Sequence, residues 1–564
     1  MKYLVTSALP YANGPIHFGH IAGVYLPADI YTKHLKLKGE RAIHICGSDE
    51  HGVAIMQNAQ KAGKNYQEYV NQWHQEHKHL FDKYEIKFEF FGQTSAPYHA
   101  KEVVTWFKVL NDKGFIEKKA EDQLQCQDCK NYLPDRFVEG TCYVCGYAEA
   151  RGDECPECGT WIDATKLKNP TCKFCHSKNI EVKSVDQWYL KLTKFHADFR
   201  KWFNDKKHWR KTVYSFVDSL SKESMVDRAI TRDLDWGIDV PLPEAIKKKL
   251  YVWFDAPIGY VSNTKEYLEK NVPNEDYLKD WWNNNDTKIV NFIGKDNIIF
   301  HAIIFPMMCL CSGITRAVDE LPANQYVNLE GKQFSKSKGW YVDAHEAIDT
   351  FGTDALRFYL TSLIPETADS SFTWKGFEAK INSELANNIG NFVNRGMKFF
   401  YKNWQSGIPA EVAFSFFKTD HAKKLQERIK AYHETMTEIS IKGGLEELMK
   451  LGFDANAYFS ERAPWAQFKT DPKLAEETIA HSAIYVIYLG VLFEPFLPKL
   501  ASDIQSYFGP MNADMKKKIY MGEESAVKEY IGANLLLKVE PQGLVPKIDS
   551  KVIEALEAKL KEKA

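Results

Sequence analysis

Lys2-Tyr3-Leu4-Val5-Thr6-Ser7-Ala8-Leu9-Pro10-Tyr11-Ala12-Asn13-Gly14-Pro15-Ile16-His17-Phe18-Gly19-His20 is the stretch whose reading decides the fold. Its apolar run predicts a buried strand, Pro10 and Asn13-Gly14-Pro15 break it, and apolar periodicity from Ile16 to Leu37 predicts a helix. A helix N-terminus offers unpaired N–H groups and the positive end of the helix dipole, a ready site for a phosphate. His17 and His20, three apart, share one face of the first turn. Gly19 removes a side chain where a flat nucleotide base could lie against backbone. Alone, the four-residue pattern His-x-Gly-His is a weak signal.

The rest of the chain bounds what this start can serve. A length of 564 residues predicts about three to five domains of ~100–200 residues. No stretch approaches the ~18 apolar residues of a membrane span, and Met1-Lys2 leads directly into a strand instead of a signal peptide, so the expectation is a cytoplasmic protein with no membrane partner. A net charge of −2 excludes a generally basic nucleic-acid coat, and any RNA contact must be local.

Arg41–Cys46 predicts a second strand ending in Gly47-Ser48-Asp49-Glu50-His51-Gly52. In an open α/β sheet ligands bind beyond the carboxyl ends of strands, which places Asp49 to meet a substrate cation. The alternative is Asp49 as N-cap of a helix starting near Gly52. Helical periodicity over Tyr66–Tyr84, a strand at Glu85–Phe91 and a helix at Ala96–Gly114 complete one half of a nucleotide-binding sheet. Further on, Leu250–Phe254 and Lys288–Ile293 read as sheet strands that deliver Asp255-Ala256-Pro257 and Gly294-Lys295-Asp296 to carboxyl ends. Ala347–Leu360 reads as one helix.

Between these halves the texture changes. Cys126/Cys129, Cys142/Cys145, Cys155/Cys158 and Cys172/Cys175 are four Cys-x-x-Cys knuckles that use eight of the eleven cysteines. In such a chain they argue for metal and against disulfides. Each knuckle presents two thiolates and two knuckles close a tetrahedral structural site, so two zinc ions are expected. Nested pairing, 142/145 with 155/158 and 126/129 with 172/175, is favoured, with sequential pairing as the alternative. Cys46, Cys309 and Cys311 lie in apolar stretches and read as buried thiols.

From Phe377 the period is 3.6 almost throughout, with Leu385, Ile389 and Phe392 on one face and Asn388, Asn391 and Arg395 on another. A helical bundle is indicated, broken near Gly407–Pro409, Ala463–Pro464 and Pro495–Pro498. Val552, Ile553, Leu556 and Leu560 predict an amphipathic tail helix that must pack on something.

Far downstream of the first motif stands Gln333-Phe334-Ser335-Lys336-Ser337-Lys338-Gly339, a basic loop flanked by glycine. With His17-Phe18-Gly19-His20 it resembles the two signatures of class I aminoacyl-tRNA synthetases, His-Ile-Gly-His and Lys-Met-Ser-Lys-Ser. The stretches Ala8–Gly14, Tyr251–Tyr260, Phe292–Asp296 and Ala463–Trp465 narrow the resemblance to the methionyl-tRNA synthetase family, over nearly the whole chain. No long editing insertion is seen, and the four knuckles fit the two-zinc members.

The resemblance implies an α/β fold: a Rossmann-like catalytic domain (1–115 and 231–320) with an inserted zinc-knuckle connective domain (116–230), a stem-contact region with the signature loop (321–384), a helical anticodon-binding domain (385–540) and a linker with tail helix (541–564). It implies activation of L-methionine by ATP to methionyl-adenylate and transfer to tRNA(Met), with two structural Zn2+ ions, Mg2+ accompanying ATP, and a monomer. His17, His20 and Lys336 would be catalytic, and ATP would meet His17, Gly19, His20, Asp296, Ser335, Lys336 and Ser337. Methionine would meet Ala8, Leu9, Tyr11, Asp49, Trp253, Ala256, Pro257, Tyr260 and His301. Asn391, Arg395 and Trp465 would read the anticodon, since single-stranded bases call for an aromatic ring and planar hydrogen-bonding groups. The sequence departs from the family at Gln333, where the signature opens with lysine. A stand-alone nucleotidyltransferase and a non-enzymatic zinc-knuckle RNA-binding protein are the competing readings. The first needs neither bundle nor zinc insert.

Overall fold

The structure is a computed structural model that describes residues 1–133, 137–152, 155–158, 160, 162–222, 225–335 and 339–562. At its centre lies β1 (Lys2–Ser7), flanked on one side by β2 (Arg41–Ser48) and then β3 (Phe90–Gln93), and on the other by Thr287–Gly294 and then Ala323–Asn324. All neighbours run parallel, with Ser7 opposite Phe292 and Thr6 opposite Ile45. Leu4 and Val5 are fully buried, as the near-continuous apolar runs of a sheet covered on both faces require. The chain leaves β1 toward β2 and later returns on the opposite side, so the switch point lies between β1 and Thr287–Gly294. Beyond the carboxyl ends of strands at such a point a crevice opens.

The first helix begins at Phe18 instead of Ile16, because His17 is its N-cap in extended conformation and accepts from the Gly19 N–H. A π-type turn, Ile21–Tyr25, precedes the regular helix Leu26–Leu37. Asn324 Nδ2 donates to the Gly23 carbonyl of that turn at 2.7 Å.

The knuckle segment leaves on a long antiparallel ribbon, joined at its base by Arg228–Ala229. Ile116–Cys126 pairs antiparallel with Ile180–Leu190 along its full length, Ile116 opposite Leu190 and Cys126 opposite Ile180. At ~3.4 Å per residue the ribbon spans about 35 Å.

Four local expectations are corrected. The strand near residue 250 ends at Leu250, pairs with Thr231–Asp233 outside the main sheet, and gives way to a helical turn, Val252–Asp255. Its aromatic, β-branched composition suits a strand, but Tyr251 O caps the turn by accepting from Phe254 N at 2.8 Å. The strand read at Glu85–Phe91 is Phe90–Gln93, since Glu85 (φ 53°) belongs to the preceding helix end. The helix read over Ala347–Leu360 is two, Ala344–Phe351 and Thr353–Ser362, parted at Gly352 with φ 80°. Asn388 is buried, not on the polar face, and accepts from Asn456 Nδ2 at 2.9 Å. It lies in a long π-type segment, Ile381–Gly390, where the wider turn slips the 3.6 phase.

Beyond it stands the helical bundle, with Asp420–Thr437, Ile441–Arg462 and the almost wholly buried Pro472–Leu492 as its longest helices. Buried Arg357 joins it to the sheet layer. Its guanidinium pairs with Asp29 at 2.9 Å on the first helix and donates to the carbonyls of Pro495 and Phe496, each at 2.7 Å. The tail helix Ser550–Glu562 buries Ile553 and Leu560, and its Lys559 pairs with Glu346 at 2.7 Å. Among the described residues no helix is long and apolar enough to cross a membrane.

Candidate active site and metal centres

A cavity of about 710 Å3 opens at the switch point, and it gathers residues from both motif-bearing turns. Ala8, Leu9, Tyr11, Asp49, Trp253, Ala256, Pro257, Tyr260 and His301 all line it, as do His17, Gly19, His20 and Asp296. Ser335 is not in its wall, and Lys336 and Ser337 lie outside the described residues. The cavity fits the 300–1,000 Å3 of a small-molecule site.

Asp49 is buried at 3% exposure, and its Oδ1 has no hydrogen-bond partner. Its backbone is tied to the turn after β1, donating to Pro10 O and accepting from Ala12 N, each at 2.8 Å. It caps no helix: Gly52 precedes Val53–Lys61 without a side-chain bond. Burial, reinforced by the nearby Asp255 carboxylate, pushes the Asp49 carboxyl well above its usual range. Such a carboxylate is stabilised by a cation brought to it. Asp255 is fully buried and bonds His51 Nδ1 at 2.8 Å, which joins the turn of Asp49 to the helical turn carrying Trp253.

The deeper wall is uncharged. His301 Nδ1 faces the Asn297 carbonyl at 3.0 Å and therefore carries the proton, leaving Nε2 to accept from Tyr260 Oη at 2.7 Å. Burial pulls this histidine down to about 4, so it is neutral at physiological pH. Trp253 lies flat on Phe300, ring centroids 3.7 Å apart. Aromatic and neutral surfaces of this kind suit an apolar, polarisable group.

At the other end, the His17 N–H donates to His20 Nδ1 at 3.3 Å, and the two rings stack with centroids 3.7 Å apart. A Cβ on Gly19 would come within 3.0 Å of the His17 ring and 3.4 Å of the Val327 carbonyl, so a side chain there would have to displace the His17 ring. Phe334 stacks on the opposite side of the site's first motif, against His17 at 4.5 Å. Gln333 and Phe334 line the cavity, and Ser335 and Trp340 bond each other's backbone at 2.9 Å to close the base of the loop.

Several wall residues escaped sequence reading. Trp236 hangs from the Glu50 carbonyl through its indole N–H at 2.6 Å, and the Arg232 guanidinium lies 4.2 Å from the centre of the Tyr251 ring. Both come from the turn-rich segment after the knuckles, whose mixed polar and aromatic composition was the available signal. Tyr25, Asn297 and 325–328 also line the cavity.

The knuckles pair in nested fashion. Cys126, Cys129, Cys172 and Cys175 form one group and Cys142, Cys145, Cys155 and Cys158 the other, with all sulfurs of a group within 4.8 Å of one another. The nearest contacts are 3.5 Å (Cys126–Cys175), 3.7 Å (Cys129–Cys172), 3.6 Å (Cys145–Cys155) and 4.0 Å (Cys142–Cys158). A tetrahedron with Zn–S of ~2.3 Å needs S···S near 3.8 Å, so the donor sets fit this ion. The backbone N–H groups of Val144 and Cys145 point at Cys142 Sγ, at 3.4 and 3.5 Å, as thiolate ligands require. The knuckle core also packs on Val53 and Leu234, two residues of the cavity wall. Cys46, Cys309 and Cys311 are buried free thiols, as read from sequence.

On the bundle, Asn391 and Arg395 are exposed and Trp465 is 40% exposed. The Arg395 guanidinium sits 4.6 Å over the Trp465 ring, which in turn leans on Phe459 at 5.6 Å. Trp465 is thus a surface ring, not a core residue.

Comparison with known proteins agrees with this arrangement. The family described as tRNA synthetases class I (M) matches residues 3–397, and the anticodon binding domain of methionyl tRNA ligase matches residues 408–561. A methionine–tRNA ligase of Thermococcus kodakarensis is 41% identical over 516 residues, 89% of this chain and 70% of that protein. One of Rubrobacter xylanophilus is 38% identical over 532 residues, 90% of each. The solved structure of Mycobacterium tuberculosis methionyl-tRNA synthetase bound by methionyl-adenylate shares the fold, with a TM-score of 0.77 at 20% identity over 97% of this chain and 100% of that one. A class I catalytic domain carrying a matched anticodon domain on one chain sets aside both the stand-alone nucleotidyltransferase and the non-enzymatic RNA-binding protein, and the chain belongs to the methionine–tRNA ligases.

Proposed function

We propose that the cavity holds L-methionine and ATP side by side, with methionine at the Asp49 end and ATP at the His17/His20 end. The observation that carries this is the buried Asp49 Oδ1 with no partner, which the substrate ammonium would satisfy. Leu9, Tyr11, Trp253, Ala256, Pro257, Tyr260 and His301 enclose the thioether, and the backbone at Ala8 and Leu9 lies close to the amino acid. Gly19 and Asp296 bind the nucleoside portion, and the helix start at Phe18 faces the phosphates.

In the first step a carboxylate oxygen of methionine attacks the α-phosphorus, and the bond to the bridging oxygen breaks with departure of pyrophosphate. No covalent enzyme intermediate is required. The chain holds the reactants in line and places cationic and N–H groups where charge develops, the role of His17, His20 and the loop lysine Lys336 with Ser335 and Ser337. Mg2+ bound with ATP would neutralise phosphate charge. In the second step a terminal ribose hydroxyl of tRNA(Met) attacks the methionyl carbonyl and AMP leaves.

Each four-cysteine group holds one structural zinc ion, and Asn391, Arg395 and Trp465 contact the anticodon. The chain divides as 1–115 with 231–320, 116–230, 321–384, 385–540 and 541–564, and acts as a cytoplasmic monomer. Pyrophosphate exchange into ATP, run with a panel of amino acids, tests the reading of the cavity. Methionine should support exchange far better than leucine, isoleucine or glutamine, and equal exchange with a second amino acid would overturn it.

A further inference from the structure

The pairing of Arg395 with Trp465 is repeated one helical turn further on. Phe399, four residues after Arg395 on the helix Asn391–Asn403, meets Phe468, three residues after Trp465 on the helix Pro464–Thr470, with ring centroids 5.7 Å apart. Trp404, at the C-terminal end of the first helix, closes on both rings, at 5.9 Å from Phe399 and 5.5 Å from Phe468. Phe468 is 37% exposed, whereas Phe399 and Trp404 are half-buried and pack against the main core. A large ring held open beside two others is a platform with a free face.

Charge follows the same line. Arg395, Lys398 and Lys402 are exposed at positions i, i+3 and i+7 of one helix face, and Lys469 is exposed beside Phe468. Neither Asn391–Asn403 nor Pro464–Thr470 contains an aspartate or glutamate, in a chain whose overall charge is −2. Rings for stacking beside a run of cations that can follow a backbone are the components of a single-stranded nucleic-acid track. One turn of helix advances ~5.4 Å, which along a strand rising ~3.4 Å per nucleotide is the next one or two bases.

From this juxtaposition we infer that Phe399, Trp404 and Phe468 form a second stacking shelf, which takes a loop base of the tRNA adjoining the triplet while Lys398 and Lys402 contact its phosphates. The inference rests on Trp465 and Arg395 meeting the anticodon. It adds an occupant for the neighbouring surface and makes the flanking loop sequence part of recognition.

The probe is an RNA hairpin of the anticodon arm, compared with hairpins in which one base adjoining the triplet is replaced by an abasic site. Binding is measured by fluorescence anisotropy over a salt series with full-length protein. Wild type should prefer the intact hairpin, and Phe468→Ala should weaken it by about 5- to 150-fold, as loss of one stacked base does, while abolishing that preference. Phe468→Trp should keep both affinity and preference, which separates stacking from folding. Lys402→Gln should flatten the salt dependence by about 0.7 in log–log slope. Trp465→Ala should lose discrimination of the triplet and keep the preference at the flank. If the triplet effect is absent in Trp465→Ala but the flank effect holds in Phe468→Ala, the anticodon assignment fails and the shelf stands. Full hairpin affinity in Phe468→Ala, with the flank preference retained, overturns the shelf and marks the cluster as a protein-facing or purely packing surface.

Discussion

Phe334 lies flat against His17, ring centroids 4.5 Å apart and planes 4° from parallel. The two signatures, far apart in sequence, thus meet ring to ring at the His17/His20 end of the cavity. An aromatic pair is worth about 0.5–1.5 kcal/mol beyond its buried area. Phe334→Ala should therefore slow adenylate formation by about 2- to 13-fold, chiefly in kcat. Phe334→Met, the residue type of the family signature, should recover most of it. Stopped-flow adenylate kinetics would read both, and an unchanged Phe334→Ala rate would show that the ring contact is idle.

The signature's opening lysine is replaced by Gln333, which lines the cavity without charge. We expect Lys336 to supply the cation in its place, and loss of one such donor costs on the order of 10²–10³ in rate. Lys336→Ala should lose about that much in pyrophosphate exchange, while Gln333→Lys changes little. Near-normal turnover in the first variant, or a large gain in the second, would show the charge to be misplaced.

Nested knuckles make the two four-cysteine groups separable. Pure protein should contain two zinc ions by metal analysis, and Cys126→Ser should release one of them while leaving the other bound. Because bound metal is linked to folding, Cys142→Ala should loosen the tip of the ribbon. The contact of the knuckle core with Val53 and Leu234 adds a modest rise in methionine KM, with the pocket otherwise formed. Loss of both ions from Cys126→Ser would contradict nested sites.

Trp465 stands on the bundle, far in sequence from the cavity and absent from its wall. Trp465→Ala should impair tRNA charging by about 5- to 150-fold, the range of one lost base stack, and leave methionyl-adenylate formation near wild type. Equal loss of both activities would mark the ring as structural.

Much of this was legible in the chain. The strand–turn–helix of Lys2–His20 predicts the central strand and the helix start that borders the cavity, and cysteine spacing predicts both four-cysteine groups. What failed was local and has physical causes. Trp253 reaches the cavity from a helical turn, because capping at Tyr251 overrides the strand propensity of an aromatic, β-branched run. Asn388 turns inward because a π-type segment breaks the period on which face assignment depends. Trp236 and Arg232 were invisible as wall residues because only the fold brings their segment over the turn at Glu50. Lys336 and Ser337 lie outside the described residues, so their part rests on sequence.

The central claim concerns Asp49, and burial makes it testable by pH. A carboxyl raised on folding binds more protons folded than unfolded between its ordinary and its raised value, so its contribution to stability falls as pH rises through that window. Asp49→Asn removes the penalty and should raise the thermal midpoint at neutral pH. A bound ammonium lowers the same group, so methionine binding should weaken as pH falls and release a proton where Asp49 starts protonated. A hydrogen bond to a charged partner is worth about 1.5–3 kcal/mol, or roughly 10- to 150-fold in affinity. The direct measurement is calorimetric titration of L-methionine and N-acetylmethionine into wild type and Asp49→Asn at two pH values. The account predicts that wild type binds methionine with a pH-dependent constant and rejects the acetylated compound, and that Asp49→Asn loses about 10- to 150-fold in methionine affinity together with the pH dependence. Undiminished methionine binding by a folded Asp49→Asn protein would contradict it.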